Sequence, residues 1–218
     1  MITSNVSSTV FIKQTDCFEL AMVTYRLLHF LALILILQVY DSTSFIYEEY
    51  YWQDYEGKIP GEALVGGKDA TGMPIYIGQA YYFSKLLPAK IYKGDNNAYV
   101  AWGSEIKVSE HIKILCTPHP ERFKWVQTKK NEIHKLINHK LVKGGWEPSY
   151  DLYIGRAFHK SQTLVGSVKV AGRPSLNLGL HISSNGAQVV VNDFEILTYV
   201  PEKNLTETRH CNQKIIIV

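Results

Sequence analysis

The chain carries one unit written twice. Leu64 to Ile91 and Leu141 to Val168 each hold a glycine pair, a polar turn, a Tyr-Ile-Gly core, then an alanine and an aromatic residue. Tyr76-Ile77-Gly78 answers Tyr153-Ile154-Gly155, and the closing stretch Ile112 to Leu115 answers Phe194 to Leu197. A tryptophan precedes each copy, Trp52 and Trp125. The copies lie 77 residues apart at the Tyr-Ile-Gly core and 82 apart at the closing stretch, so the second carries a small insertion. An internal repeat constrains the fold more than any single residue does, because two copies can bury apolar faces that one could not.

Within each copy the signals are strands. Pro74 to Ala80 and Ala98 to Trp102 are rich in Ile, Tyr and Val and bounded by Gly, Asn and Asp. Gly94 to Asn97 and Ser183 to Gly186 have turn chemistry, with residues that tolerate positive φ. Val189 to Val191 and Phe194 to Val200 read as two short strands around a tight turn at Asn192-Asp193. The 14 Tyr, 8 Phe and 4 Trp favour strands over helical bundles. Lys129 to Lys143 is the one stretch of this region with helical character. The expected fold is all-β: two pseudo-symmetric tandem repeats of short antiparallel strands in a β-sandwich-like domain, preceded by an apolar helix. The expected organisation is a leader over 1–44, repeats over 45–122 and 123–201, and a tail over 202–218.

The apolar run from Phe30 to Leu37 follows Arg26 and is shorter than the roughly 20 residues that span a bilayer. It suits a signal-peptide core, with Ser42 and Ser44 supplying small residues for cleavage before Phe45. Asp16 and Glu19 are foreign to secretory n-regions, so Met22 competes with Met1 as the start. The competing reading keeps residues 27–40 as a membrane anchor. Localisation is therefore expected to be secreted or vesicular, with membrane tethering as the alternative. Asn204-Leu205-Thr206 is a glycosylation acceptor. Pairing of Cys116 with Cys211, or two separate thiols, both remain open.

Catalytic signals are sparse. Gly67 to Gly72 lacks the Lys-Ser/Thr step of a phosphate loop, because Met73 and Pro74 follow. There is no nucleophile elbow and no zinc-protease motif. Cys116 and His119 have no second ligand pair, and no cofactor or metal is signalled. The formal charge of +3 is too even for a protein that grips nucleic-acid backbone. A binding surface remains: the exposed turn Lys68 to Gly72 with its Asp69 carboxylate, Lys90, and the nearby Tyr92 and Trp102.

Residues Trp52 to Pro201 resemble the DM-nine repeat family, whose tandem repeats are related to the front module of natterin-like toxins. The resemblance rests on Ala63-Leu64-Val65-Gly66-Gly67-x-Asp69-x-x-Gly72, Ile75 to Gly78 with Ala80, and Leu87-Pro88-x-Lys90. It continues through Ala98 to Val100, Trp102-Gly103-x-Glu105 and Ile112-x-Ile114-Leu115, then Leu152 to Ala157 and Phe194 to Leu197 in the second copy. It implies a non-enzymatic, mannose-binding pattern-recognition lectin of the kind linked to innate immunity in arthropods and molluscs. It also implies that Asp69 and Lys90 hold the sugar. A carboxylate accepts from two neighbouring hydroxyls and an ammonium donates to another, in charge-assisted bonds that need no metal. In the second copy Glu147 stands at the Asp position and Ser167 at the Lys position, with Lys169 two residues on. One working site per chain is therefore expected, with Glu147 and Lys169 as secondary candidates. Dimers would supply avidity toward glycans on microbial surfaces.

Overall fold

The β-branched and aromatic residues of each copy fall in short runs separated by glycine and Asx turns, and the chain takes those runs as strands. The computed structural model describes residues 22–34, 49–172 and 177–201. Residues 22–34 are helical, with their apolar side chains exposed. Among the described residues no helix is long and apolar enough to cross a membrane. Ser42, Ser44, Phe45, Asn204 and Cys211 lie outside the described residues. Cys116 is buried and has no partner cysteine among them.

The described residues from 49 onward form one compact unit. Its first half holds β1 (Tyr51–Asp54), β2 (Val65–Lys68), β3 (Pro74–Tyr82), β4 (Lys85–Tyr92), β5 (Ala98–Trp102), β6 (Ser104–Val108) and β7 (Ile112–Cys116). Its second half holds β8 (Phe123–Lys129), β9 (Lys140–Leu141), β10 (Lys143–Glu147), β11 (Tyr150–His159), β12 (Gln162–Ala171), β13 (Asn177–Ser184), β14 (Ala187–Val191) and β15 (Asp193–Tyr199). The fold is all-β, and every pairing is antiparallel.

The two halves repeat the same ladder pattern. β3 pairs with β2, β4 and β7, and β11 pairs with β10, β12 and β15. β4–β5–β6 is matched by β12–β13–β14. β1 lies on β7 with Trp52 opposite Leu115, and β8 lies on β15 with Trp125 opposite Leu197. The two tryptophans are therefore equivalent, as the repeat predicts.

Among the described residues three strand pairings join the halves, and they obey the same pseudo-twofold. β2 of the first half pairs with β12 of the second at Lys68 and Thr163. Reciprocally, β10 pairs with β4 at Trp146 and Leu86. β6 pairs with β14, each the other's counterpart, at Ser104 and Ala187. The glycine pairs permit the first two contacts. A Cβ on Gly67 would collide with the Thr163 carbonyl, and one on Gly145 with the Leu86 carbonyl. Gly66 and Gly144, one residue earlier, are packed equally tightly against Val165 and Ile77 and against Ile154 and Pro88. The repeat therefore keeps its glycine pairs for close backbone approach.

This arrangement buries β4 on both faces. Leu87, Ala89 and Ile91 enter one apolar cluster with Val100, Ile114 and Leu152. Pro88 and Lys90 point the other way, toward the second half, where Pro88 meets Gly144 and Lys90 meets Ser183. A larger cluster draws on both halves, with Ile75, Ile77 and Leu115 beside Ile154, Leu164, Leu180 and Phe194.

One expectation is corrected. Lys129 to Lys143 is not a helix: it contains the end of β8, a single 3₁₀ turn at Ile133–Lys135, and β9. Its poor apolar period gives a helix no face to bury, and Ile133 and Val142, nine residues apart, are its buried core residues. β14 and β15 flank Asn192 but do not pair with each other. β14 joins β13 and β6, while β15 joins β8, β9 and β11.

The glycine contacts can be tested directly. Gly67→Ala and Gly145→Ala are each expected to cost about 3 kcal/mol or more, because backbone must move. Gly61→Ala, at a position with open space, should stay within about 0.5 kcal/mol of the parent. Urea denaturation of the three variants measures this.

Candidate functional site

The hairpin between β2 and β3 presents Asp69. Its Oδ1 accepts from the Thr71 amide at 2.8 Å, the Thr71 hydroxyl at 2.7 Å and the Met73 amide at 2.9 Å. The side chain thus builds its own turn, which Gly72 completes at φ +88°. The Thr71 hydroxyl, with the backbone amides, holds the carboxyl below the usual carboxylate range. All three of these bonds go to Oδ1 and none uses Oδ2.

Lys90 is buried, on the face of β4 that turns toward the second half. Its Nζ donates to Glu105 Oε2 on β6 at 3.0 Å and to the Ser183 carbonyl on β13 at 2.6 Å. It lies 5.7 Å from the centre of the Tyr92 ring. Burial pulls the ammonium below the usual lysine range, and Glu105 opposes that pull. Tyr92 links the two ends of the group. Its phenol is pushed up to about 12 by burial first, then by the negative charges of Glu105 and Asp69. Tyr99 stands opposite Lys90 in the ladder and donates to Asp95 Oδ2 at 2.7 Å.

The structure thus brings Lys90, Glu105 and Tyr92 together, while Asp69 bonds within its own turn and reaches them only through the effect of its charge on the Tyr92 phenol. Trp102 belongs elsewhere. It sits at the far end of the β3–β4 hairpin, edge-on to Tyr82, with Lys85 over its ring at 4.5 Å. Glu105 and Ser183 are the residues that sequence reasoning missed as site members. Glu105 stood in the family motif without a role. Ser183 comes from the other repeat, and no local signal marks it.

The second repeat has the same positions with different chemistry. Strand register places Ser167 where Lys90 stands, Lys169 where Tyr92 stands, His181 where Tyr99 stands and Gln188 where Glu105 stands. Glu147 follows Trp146 as Asp69 follows Lys68. Glu147 and Lys169 pair at 2.8 Å, both largely buried, so carboxylate and ammonium neutralise each other. Lys169 therefore occupies the tyrosine position and does not replace Lys90. His181 Nδ1 takes a 3.0 Å bond from Gln188, whose carbonyl oxygen accepts from the Gly103 amide at 2.8 Å. Burial first, then the charge of Lys169, lowers the imidazole to about 4. His181 Nε2 and the hydroxyls of Ser183 and Ser184 are buried with no partner among the described residues. Such atoms normally bond to protein or to ordered water.

Comparison with known proteins now bears on these residues. The family model of the DM9 repeat matches the chain twice, over residues 37–104 and 69–173. The chain belongs to the DM9 repeat family. Both matches include the Asp69 turn and Lys90, and the second extends through β11 and β12. No curated protein matches the chain. A solved structure, that of the nematode sperm cell motility protein MFP2B, matches with a TM-score of 0.46 and 13% identity. That match covers 71% of this chain and 47% of the nematode protein, so the DM9 chain spans about half of that protein's length.

Two outcomes are expected from this geometry. Glu105→Ala leaves the Lys90 charge buried without its carboxylate and should cost about 3 kcal/mol, read by denaturant unfolding at neutral pH. His181 has a folded value below its unfolded 6.5, so the folded state binds fewer protons between pH 6.5 and about 4. Stability should therefore fall on acidification through that window, by on the order of 3 kcal/mol. In His181→Gln that part of the pH dependence should be absent.

Proposed function

We propose that this DM9 chain is a non-catalytic carbohydrate-binding protein that takes one mannose-type sugar per chain, at Asp69 and Lys90. The observation that carries the reading is the contrast between the repeats. In the first, a carboxylate is held in a fixed turn, and a buried ammonium lies beside Tyr92. In the second, Glu147 and Lys169 are consumed by each other. Asp69 Oδ2 would accept from adjacent sugar hydroxyls, and Lys90 would donate the proton not committed to Glu105 or Ser183. Glu105 and the Ser183 carbonyl would position Lys90, and the Tyr92 ring would border the apolar side of the sugar.

The reading extends to location and assembly. The short apolar run before Ser42 and Ser44 suits secretion, with a mature chain beginning near Phe45 and glycan on Asn204. A single small site per chain would give weak binding to a surface, and a homodimer on microbial glycans would raise it by avidity. Sequencing the N-terminus of protein recovered from medium tests the first point. Finding residues 27–40 still attached and embedded in membrane would overturn it.

Calorimetry with methyl α-mannoside tests the site. The parent should bind one sugar per chain. Asp69→Asn keeps the turn acceptor and removes the charge, so it should lose about tenfold to a hundredfold in affinity. Glu147→Gln should bind like the parent. A second mannoside per chain that is lost in Glu147→Gln would overturn the asymmetry, and a parent that binds no mannoside would overturn the reading itself.

A further inference from the structure

The reciprocal contacts between the halves create two pseudo-equivalent clefts, and in one of them a guanidinium of the protein covers the tryptophan face. The first lies where β2 meets β12 and is lined by Lys68, Arg156, Phe158, Thr163 and Glu195. There Arg156 donates to Glu195 at 2.7 and 3.3 Å and to the Gly66 carbonyl at 3.4 Å. Its guanidinium covers the face of Trp125 at 4.3 Å. The aromatic surface is thus occupied from within.

The second lies where β10 meets β4, a cleft of about 460 Å³ lined by Trp52, Gln79, Leu86, Leu141, Lys143 and Trp146 among others. Trp52 is the counterpart of Trp125, and Gln79 stands where Arg156 stands. The partner position holds Lys113 in place of Glu195, and Lys113 pairs outward with Asp54 at 2.8 Å. No guanidinium covers Trp52. Trp146 is 44% exposed in the same cleft. Gln79 is buried, and its amide makes no side-chain hydrogen bond among the described residues.

These features select a ligand chemistry. An unpartnered amide at the cleft wall disfavours a purely apolar occupant, because one would bury it unsatisfied. Lys143 is paired with Asp151 and Lys113 with Asp54, so among the described residues the cleft offers no unpaired charge to select a charged ligand. A neutral ring with an apolar C–H face and flanking hydroxyls meets both demands: its face packs on indole, and a hydroxyl both donates to and accepts from the amide. We propose that the Trp52–Trp146 cleft is a second glycan subsite, taking a pyranose ring of a neutral oligosaccharide. It stacks the ring on tryptophan and bonds it through Gln79, and it is independent of Asp69 and Lys90.

Saturation-transfer NMR and tryptophan fluorescence on the full chain test this, with mannotriose, cellotriose and triacetylchitotriose as probes. At least one trisaccharide should show saturated ring C–H protons and change the indole fluorescence. Trp146→Ala should lower its affinity at least tenfold. The double variant Gln79→Arg with Lys113→Glu installs the covering cation of the other cleft. It should abolish this binding while thermal unfolding shows the fold intact. Asp69→Asn should leave it unchanged. The proposal falls if no trisaccharide binds the parent, or if binding persists at parental affinity in either cleft variant. Binding lost in Asp69→Asn but kept in Trp146→Ala would sink the cleft and leave the Asp69–Lys90 site standing.

Discussion

The structure depends on two close backbone approaches, Gly67 to the Thr163 carbonyl and Gly145 to the Leu86 carbonyl. Each brings a short strand of one repeat onto a long strand of the other, and each needs a residue without a Cβ. Because the contacts are reciprocal, neither repeat completes its sheet alone. One apolar cluster draws residues from both halves, and Leu152 of the second half enters the other. A single repeat would expose those faces, which explains why the unit occurs twice.

The same geometry forces charge into the interior. Once β4 is covered on both faces, its outward lysine becomes a buried lysine. Burying an ammonium is costly unless it is paired and hydrogen-bonded. Lys90 meets that demand with Glu105 from its own repeat and the Ser183 carbonyl from the other. The second repeat avoids the problem by placing Ser167 at this position. It then carries its ion pair one step along the ladder, between Lys169 and Glu147. Pseudo-symmetry of backbone is therefore compatible with divergent chemistry, since strand register keeps the positions while side chains change. The clefts follow the same logic, with Arg156 and Glu195 in one and Gln79 and Lys113 in the other.

Several of the strands were legible from local signals. The runs at Pro74 and Ala98 and the Asx-Gly turns act through nearest neighbours, which a sequence displays directly. The stretch after Lys129 misled because its buried residues Ile133 and Val142 are too few and too far apart to give a helix an apolar face. The two strands expected around Asn192-Asp193 are present, but adjacency in sequence does not determine which strand edge each one takes. β14 finds its partners in β13 and β6, the latter far away along the chain.

By itself the sequence determined the repeat, the all-β class, the family, and Asp69 and Lys90 as the residues to watch. The repeat and the class follow from pattern and spacing, and the two residues follow from the resemblance to the family, none of which needs coordinates. Only the tertiary structure decided that Lys90 is buried, that it answers to Ser183 across 93 residues of chain, and that Trp102 lies elsewhere. It alone decided that Lys169 serves Glu147 and that Trp52 was left uncovered while Trp125 was not. The physical reason is that burial and pairing are set by strands meeting through space, and the reciprocal seam between the repeats joins residues whose sequence neighbours say nothing of each other.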